Sequence, residues 1–156
     1  MIDVDIPGFE KLSIKNIICD YNGTLAIDGV IIPEVKPLIE KLSERLAFHI
    51  VTGDTFGTAV ENLKHLPVTI KILTSDDQDI QKLNYLKKLG TDLTVCIGNG
   101  RNDKLMLEKS ALGICLLQAE GSNLDSLLKS DIVCTSAADA LNILLKPKRI
   151  VATLRK

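Results

Sequence analysis

Six short hydrophobic runs recur along the chain, each bounded by polar or turn-forming residues. The runs are continuous and rich in β-branched side chains, and they do not alternate between apolar and polar positions. Strands that are covered on both faces of a sheet have this pattern. The pattern predicts six buried strands, at residues 14–19, 48–51, 68–73, 93–97, 113–117 and 132–134.

Apolar residues with helical spacing lie between some of these strands. They fall three or four positions apart over residues 35–46 and 80–89, the spacing of a helix with one buried face. Gly90 follows the second segment, where a glycine commonly ends a helix. The alternation of strands and helices predicts an α/β fold with a doubly wound, mainly parallel sheet, a Rossmann-like arrangement.

One segment departs from this alternation. Asp28 and Gly29 separate the two short apolar arms of residues 25–32. An Asp-Gly pair between apolar arms favours a tight hairpin turn. We therefore predict a small β-hairpin flap after the first strand.

The composition is typical of one globular domain. The 156 residues are 46% hydrophobic and 25% charged, and the net charge of −1 argues against a nucleic-acid partner. No apolar run approaches the ~20 residues that a membrane span needs, and the N-terminus has no signal-peptide pattern. We expect a single cytoplasmic domain over residues 1–156, with its core at 14–145 and a basic tail at 146–156.

Four cysteines lie inside apolar runs and show no Cys-x-x-Cys spacing, which argues against a zinc site. Free cysteine is among the most buried residue types. We predict buried, unpaired thiols at Cys19, Cys96, Cys115 and Cys134.

Polar loops follow three of the predicted strands. Their sequences are DYNGT at 20–24, TGD at 52–54 and GNGRND at 98–103. Ligands bind beyond the carboxyl ends of strands in open α/β sheets, so these loops are predicted to form one site. Carboxylate and amide oxygens suit Mg²⁺, whereas hydroxyls and backbone N–H groups suit phosphate. A carboxylate such as Asp20 can attack phosphorus and form an aspartyl-phosphate that water later hydrolyses.

These three segments, in this order, resemble the motifs of the haloacid dehalogenase superfamily of aspartate-nucleophile phosphotransferases. They are most similar to Asp-Lys-Thr-Gly-Thr, Thr-Gly-Asp and Gly-Asp-Gly-x-Asn-Asp in the phosphorylation domain of P-type ATPases, as in the small group of soluble P-type ATPase-like proteins. The resemblance covers residues 14–135. It implies a Mg²⁺-dependent phosphatase or phosphotransferase and does not imply ion pumping.

The resemblance also implies a role for individual residues. Asp20 matches the nucleophile, and Thr52 matches the hydroxyl that binds phosphate. Lys82 is our choice for the catalytic lysine, with Lys87 and Lys88 deeper in the same helix as alternatives. The implied contacts to substrate are Asn22, Gly23, Thr52, Gly53, Asp54 and Lys82. The implied metal ligands are Asp20, the Asn22 backbone carbonyl, Asn99 and Asp103, with Asn102 beside them.

Two of these residues depart from the family pattern. Asn22 stands where the phosphatases usually have an aspartate general acid and base, and an amide cannot transfer a proton. Asn99 replaces an acidic metal ligand with a neutral one, which predicts weaker Mg²⁺ binding. Both departures predict slow turnover. They keep open the alternative of a phosphate-binding or regulatory protein with little turnover.

The segment between the first two loops has room only for the hairpin and one helix. We therefore expect neither a cap nor a nucleotide-binding domain. An open cleft suits a small phosphorylated substrate or a phosphoprotein, and a neighbouring subunit of a homo-oligomer could cover it. A receiver-like signalling domain is a third hypothesis. In receiver domains the acceptor aspartate follows a middle strand and an acidic pair follows the first strand. Here the first strand ends in the single Asp20, and the segment GNGRND comes late in the chain, which argues against this hypothesis.

Overall fold

The computed structural model describes all 156 residues, and they form ten strands and seven α-helices. In chain order these are β1 (Ile2–Asp5), β2 (Lys11–Ile14), β3 (Asn16–Cys19), β4 (Ala26–Ile27), β5 (Val30–Ile31), α1 (Val35–Ser43), β6 (Ala47–Thr52), α2 (Ala59–Leu63), β7 (Thr69–Ile72), α3 (Gln78–Leu89), β8 (Thr94–Gly98), α4 (Lys104–Lys109), β9 (Leu112–Leu116), α5 (Leu124–Leu128), β10 (Ile132–Cys134), α6 (Ala137–Leu145) and α7 (Lys148–Leu154).

Six of the strands form one sheet in the order β10-β9-β8-β3-β6-β7. Every neighbouring pair in this sheet is parallel. The chain starts the sheet at the central strand β3 and builds outward on both sides, so the predicted doubly wound sheet is confirmed. Strand β7 is largely exposed, because it lies at the edge of the sheet, and in this respect the prediction of six buried strands was wrong.

Hydrophobic side chains cover both faces of the sheet. Helices α1, α6 and α7 pack on one face over the larger of two apolar clusters. Helices α3, α4 and α5 pack on the other face, over a smaller cluster that includes Ile18, Val51 and Leu86. Continuous apolar strands therefore arise because both sides of each central strand are covered.

The hairpin flap is present as predicted. Strands β4 and β5 pair antiparallel around Asp28 and Gly29, whose φ angles of 50° and 75° are both positive. Asp-Gly pairs favour this turn because both residues tolerate the left-handed region better than most.

The two ends of the chain differ from the prediction. The expected strand at 14–19 is divided at Lys15, because β2 pairs with β1 in a separate antiparallel hairpin before β3 enters the main sheet. The tail at 146–156 contains α7, which packs against β1 and buries Ile150. The hydrophobic core therefore extends beyond residues 14–145 to both ends.

The four cysteines are all buried and unpaired, which confirms the prediction for the thiols. The helices are all too short or too polar to cross a lipid bilayer.

Candidate active site

The three polar loops meet at one edge of the sheet because they follow three neighbouring strands. The loop at 20–24 follows the central strand β3, and the loops at 52–54 and 98–103 follow β6 and β8 on either side of it. In a parallel sheet the carboxyl ends of adjacent strands lie side by side. The structure therefore brings together the loops that the sequence singled out.

Between these loops lies a cleft of about 230 Å³ with no hydrophobic side chain in its wall. A purely polar wall suits a charged ligand better than an apolar one. The residues lining the cleft are Asp20, Asn22, Thr52, Gly53, Thr55, Gln78, Asn99, Gly100, Asn102 and Glu120.

Lys82 lies beneath the cleft and contacts two carboxylates. Its Nζ is 2.9 Å from Asp20 Oδ1 and 2.6 Å from Asp103 Oδ1, and its side chain is fully buried. Lys87 and Lys88 are exposed on the same helix, α3. Of the three lysines considered, the structure therefore places Lys82 against the predicted nucleophile.

Burial and charge together set the proton affinities in this cluster. Burial raises the pKa of the Asp20 carboxyl to about 6, although Lys82 acts to lower it. For Lys82, burial acts to lower the pKa, but the carboxylates of Asp103 and Asp20 outweigh it and the pKa of the ammonium is raised. One ammonium thus faces two carboxylates, and an additional positive charge in the cleft would be attracted to them.

Asp103 holds the third loop in place behind the cleft. Its Oδ2 accepts hydrogen bonds from the backbone N–H groups of Asn99 (3.0 Å) and Gly100 (2.9 Å), while Oδ1 contacts Lys82. A Cβ at Gly98 would lie 2.4 Å from Asp103 Cγ, which explains the glycine at the end of β8. Both oxygens of Asp103 thus have partners within the protein, and its predicted metal ligation stays a prediction.

The other residues predicted to bind metal, Asp20, Asn22 and Asn99, line the cleft. For Asn22 the predicted ligand is the backbone carbonyl, and the structure adds its side-chain oxygen as a candidate. Asn22 Oδ1 is buried and has no hydrogen-bond partner, so a cation or a substrate donor would satisfy it. Asn99 Oδ1 accepts from the Thr24 hydroxyl at 3.2 Å, and its Nδ2 donates to the carbonyl of Gly121 at 3.0 Å. No three His, Cys, Asp or Glu side chains lie together in a way that could hold a metal ion. A divalent cation would be held by the Asp20 carboxylate and neutral amide oxygens, a set that fits Mg²⁺ chemically but offers little charge.

The phosphate-binding predictions divide into two groups. Thr52 is buried at the end of β6 and lines the cleft with Gly53. Asp54 does not line it, because its Oδ1 accepts the N–H groups of Thr58 and Ala59, both at 3.0 Å, at the start of α2. One oxygen of Asp54 thus holds the start of α2, and the predicted contact between Asp54 and substrate stays a prediction.

Gly23 shapes the first loop without contributing a wall to the cleft. Its φ angle is +76°, and a Cβ there would lie 2.3 Å from Asn99 Nδ2. The glycine therefore allows the first and third loops to approach each other closely.

The structure adds residues that the sequence reasoning missed. Gln78 lines the cleft and accepts a hydrogen bond from Asn102 Nδ2 at 2.8 Å. Gln78 lies four residues before Lys82 and therefore on the same face of α3, a spacing that could have identified it.

Glu120 is the second missed residue. It lies in the loop after β9, which is also at the carboxyl end of a strand of the sheet. The rule that ligands bind beyond the carboxyl ends of strands, applied also to β9, could have identified Glu120.

Comparisons with known proteins show a relative of unknown function and a widely shared fold. No protein-family model matches the chain. The uncharacterised protein MJ0073 of Methanocaldococcus jannaschii is 41% identical over 78 residues, which span 50% of this chain and 78% of that protein.

Solved structures of phosphatases match the whole architecture. The 3-deoxy-D-manno-octulosonate 8-phosphate phosphatase of Moraxella catarrhalis, in complex with magnesium, phosphate and KDO, has a TM-score of 0.72 at 18% identity and covers 89% of this chain and 90% of that one. The cobalt-bound deoxy-D-mannose-octulosonate 8-phosphate phosphatase of Haemophilus influenzae has a TM-score of 0.71 at 12% identity. The match covers 92% of this chain and 94% of that one. At these identities the likeness establishes a shared fold.

Proposed function

The chain belongs to the same family as the uncharacterised Methanocaldococcus protein and has the capless haloacid dehalogenase fold, and on this basis we propose that it is a phosphatase or phosphotransferase. The reaction would proceed through an aspartyl-phosphate on Asp20, with a divalent cation bound beside it. The observation that carries the proposal is the contact between Asp20 and the buried Lys82 in a wholly polar cleft.

The chemistry assigned to the chain has two steps. In the first step an oxygen of Asp20 attacks phosphorus, the bond from phosphorus to the leaving group breaks, and the leaving group departs with that electron pair. In the second step water attacks the phosphoryl group, the bond between Asp20 and phosphorus breaks, and inorganic phosphate is released. Lys82 holds Asp20 in place, and the Thr52 hydroxyl with the backbone around Gly53 is positioned to donate to phosphoryl oxygens.

A divalent cation would offset the repulsion between the anionic nucleophile and the phosphate. The chain offers the Asp20 carboxylate, the unpartnered Oδ1 of Asn22 and the amide oxygen of Asn99 to hold it. The structural neighbours from Moraxella and Haemophilus hold magnesium and cobalt, which supports a divalent cation here as well. We propose Mg²⁺ because all three ligands are hard oxygen donors.

The substrate class follows from the openness of the cleft. No cap covers the three loops, so we propose a small phosphorylated compound or a phosphoprotein as substrate. Acetyl phosphate is a suitable first probe because its acetate leaving group departs without help from an acid.

We expect the purified protein to release phosphate from acetyl phosphate in the presence of Mg²⁺ and to lose this activity when a chelator removes the cation. Activity should return when Mg²⁺ is added in excess of the chelator. Release that is equally fast with the chelator would contradict the metal-dependent mechanism. The matched blank is the same reaction without protein, because acetyl phosphate also hydrolyses slowly by itself.

Restoring an acidic ligand should strengthen cation binding. Asn99→Asp adds a carboxylate at the cleft wall, and we expect Mg²⁺ to bind about tenfold more tightly, or about 1.4 kcal/mol. Isothermal titration calorimetry of the wild type and the variant would measure this difference. Asn84→Asp adds the same charge on the exposed side of α3 and should leave the affinity unchanged. Equal affinity in all three proteins would show that Asn99 is not near the bound cation.

The second candidate function is a phosphate-binding or regulatory protein with little turnover. The observation in its favour is the pair of neutral residues at 22 and 99, both of which line the cleft. On this hypothesis the protein binds Mg²⁺ and phosphate but releases no phosphate from acetyl phosphate above the blank. The same assay therefore separates the two functions.

A further inference from the structure

The cleft contains a second carboxylate that the chemistry above does not use. Glu120, in the loop after β9, lines the same cleft as Asp20, and these are the only charged residues in its wall. A phosphoryl group on Asp20 would therefore enter a cleft that Glu120 also borders.

The loop that carries this glutamate is bound to both neighbouring catalytic loops. Gln118 Nε2 donates to the backbone carbonyls of Gly23 at 2.9 Å and Thr24 at 2.8 Å. On the other side of the glutamate, Asn99 Nδ2 donates to the carbonyl of Gly121 at 3.0 Å. These contacts on either side fix the loop against the catalytic loops and hold the glutamate at the cleft.

The carboxylate itself is only partly engaged. Glu120 Oε1 accepts a hydrogen bond from the backbone N–H of Asp28, at the turn of the flap, with a distance of 2.8 Å. Its Oε2 has no protein partner, and the residue is exposed. The glutamate therefore has one oxygen that orients it and one oxygen available to a water molecule or a substrate in the cleft.

Proton transfer is the function that the site otherwise lacks. Asn22 cannot exchange a proton, and Lys82 is enclosed by Asp20 and Asp103. General acid–base help contributes about 10²–10⁴-fold to reactions of this kind.

We propose that Glu120 is the general acid and base of this active site, an inference that rests on the proposed function. In the first step the protonated carboxyl of Glu120 gives its proton to the leaving-group oxygen as the bond to phosphorus breaks. In the second step the resulting carboxylate takes a proton from water as the water oxygen bonds to phosphorus and Asp20 leaves as a carboxylate. Glu120 is then protonated again for the next turnover.

The two steps separate when acetyl phosphate is the phosphoryl donor. Acetate needs no proton to leave, so Glu120→Gln should form the aspartyl-phosphate about as fast as the wild type. Its hydrolysis should be about 10²–10⁴-fold slower, and labelled protein should accumulate. The measurement is formation and decay of protein labelled by acetyl [³²P]phosphate with Mg²⁺. The glutamine oxygen can still accept the hydrogen bond from Asp28, so the flap contact is retained.

Two further variants distinguish proton transfer from a structural role. Glu120→Asp, or Asn22→Asp added to Glu120→Gln, supplies a carboxylate again, and each should speed decay at least about tenfold over Glu120→Gln. Glu40→Gln makes the same chemical change on the exposed face of α1 and should decay like the wild type. Slow decay that neither carboxylate relieves would place Glu120 in a structural role and overturn the proposal.

The failure of this inference can be told apart from the failure of the proposed function. Labelled wild type and Glu120→Gln that decay at the same rate would overturn the role of Glu120 and leave the aspartyl-phosphate mechanism intact. Neither label nor phosphate release in the wild type would overturn the mechanism, and the role of Glu120 with it.

Discussion

Asp20→Asn is expected to abolish labelling by acetyl phosphate and to reduce Mg²⁺-dependent phosphate release by about 10⁴-fold or more. The reason is that the amide has no lone pair comparable to that of the carboxylate with which to attack phosphorus, and loss of a covalent nucleophile is among the costliest changes in an enzyme. The measurements are phosphate release and the radioactivity retained on the protein. Asp103→Asn is a poor control, because Asp103 also contacts Lys82. Asp92 lies outside the cleft, so Asp92→Asn should retain activity. Labelling that survives in Asp20→Asn would mean that another residue accepts the phosphoryl group.

The stability of this variant shows whether its loss of activity comes from unfolding. Below pH about 3 the Asp20 carboxyl is largely neutral in the folded and unfolded chains alike, and the wild type and variant should be similar. As the pH rises to about 6 the unfolded chain ionises first, because burial raises the pKa of Asp20 in the folded chain. The wild type therefore loses up to about 3 kcal/mol relative to Asp20→Asn, and this loss is complete above pH about 6. Urea unfolding without divalent cations, at pH 3 and pH 8, would measure the difference.

Lys82→Met is expected to destabilise the fold by about 3–5 kcal/mol at neutral pH and to remove activity. The substitution keeps an apolar stem of similar length but leaves the carboxylates of Asp20 and Asp103 buried together without a counter-charge. The penalty should shrink as the pH falls towards 4, because protonation of one carboxylate relieves the repulsion. Urea unfolding at both pH values provides the test.

Lys87→Met is the matched control for Lys82→Met, since it changes an exposed lysine on the same helix. Its effect on the free energy of unfolding should lie within about 0.5 kcal/mol. If both variants unfolded at the same urea concentration, the buried charge cluster would have no energetic importance.

Much of the fold is visible in the sequence because both faces of the sheet are covered. Continuous apolar runs predicted the central strands β3, β6 and β8, and the Asp-Gly turn predicted the flap. The N-terminal hairpin was missed because β2 runs almost directly into β3, so the two strands read as one apolar run. Helix α7 was missed because its basic residues conceal the single buried position of Ile150.

The site residues were predictable where they directly follow a strand. They were less predictable where their role depends on which hydrogen bonds the side chain makes. The three loops and Lys82 lie together as expected, since strand order alone brings them to one edge. The directions of Asp54 and Asp103 depend on which backbone amides are nearby, and a pattern of residue types does not contain that information. Glu120 depends on the path of a loop after β9, and only its place at the carboxyl end of a strand hints at it.

The salt bridges of Lys82 join parts of the chain that are distant in sequence, 62 residues to Asp20 and 21 residues to Asp103. The cleft consequently exists only when β3, α3 and the third loop are all in place, and a ligand that binds there has little affinity for the unfolded chain. Because of thermodynamic linkage, a bound ligand raises the melting temperature of the protein. At a ligand concentration one hundred times its Kd, the free energy of unfolding rises by about 2.7 kcal/mol. A melting-temperature screen of phosphorylated metabolites with Mg²⁺ could thus find the natural substrate without any turnover.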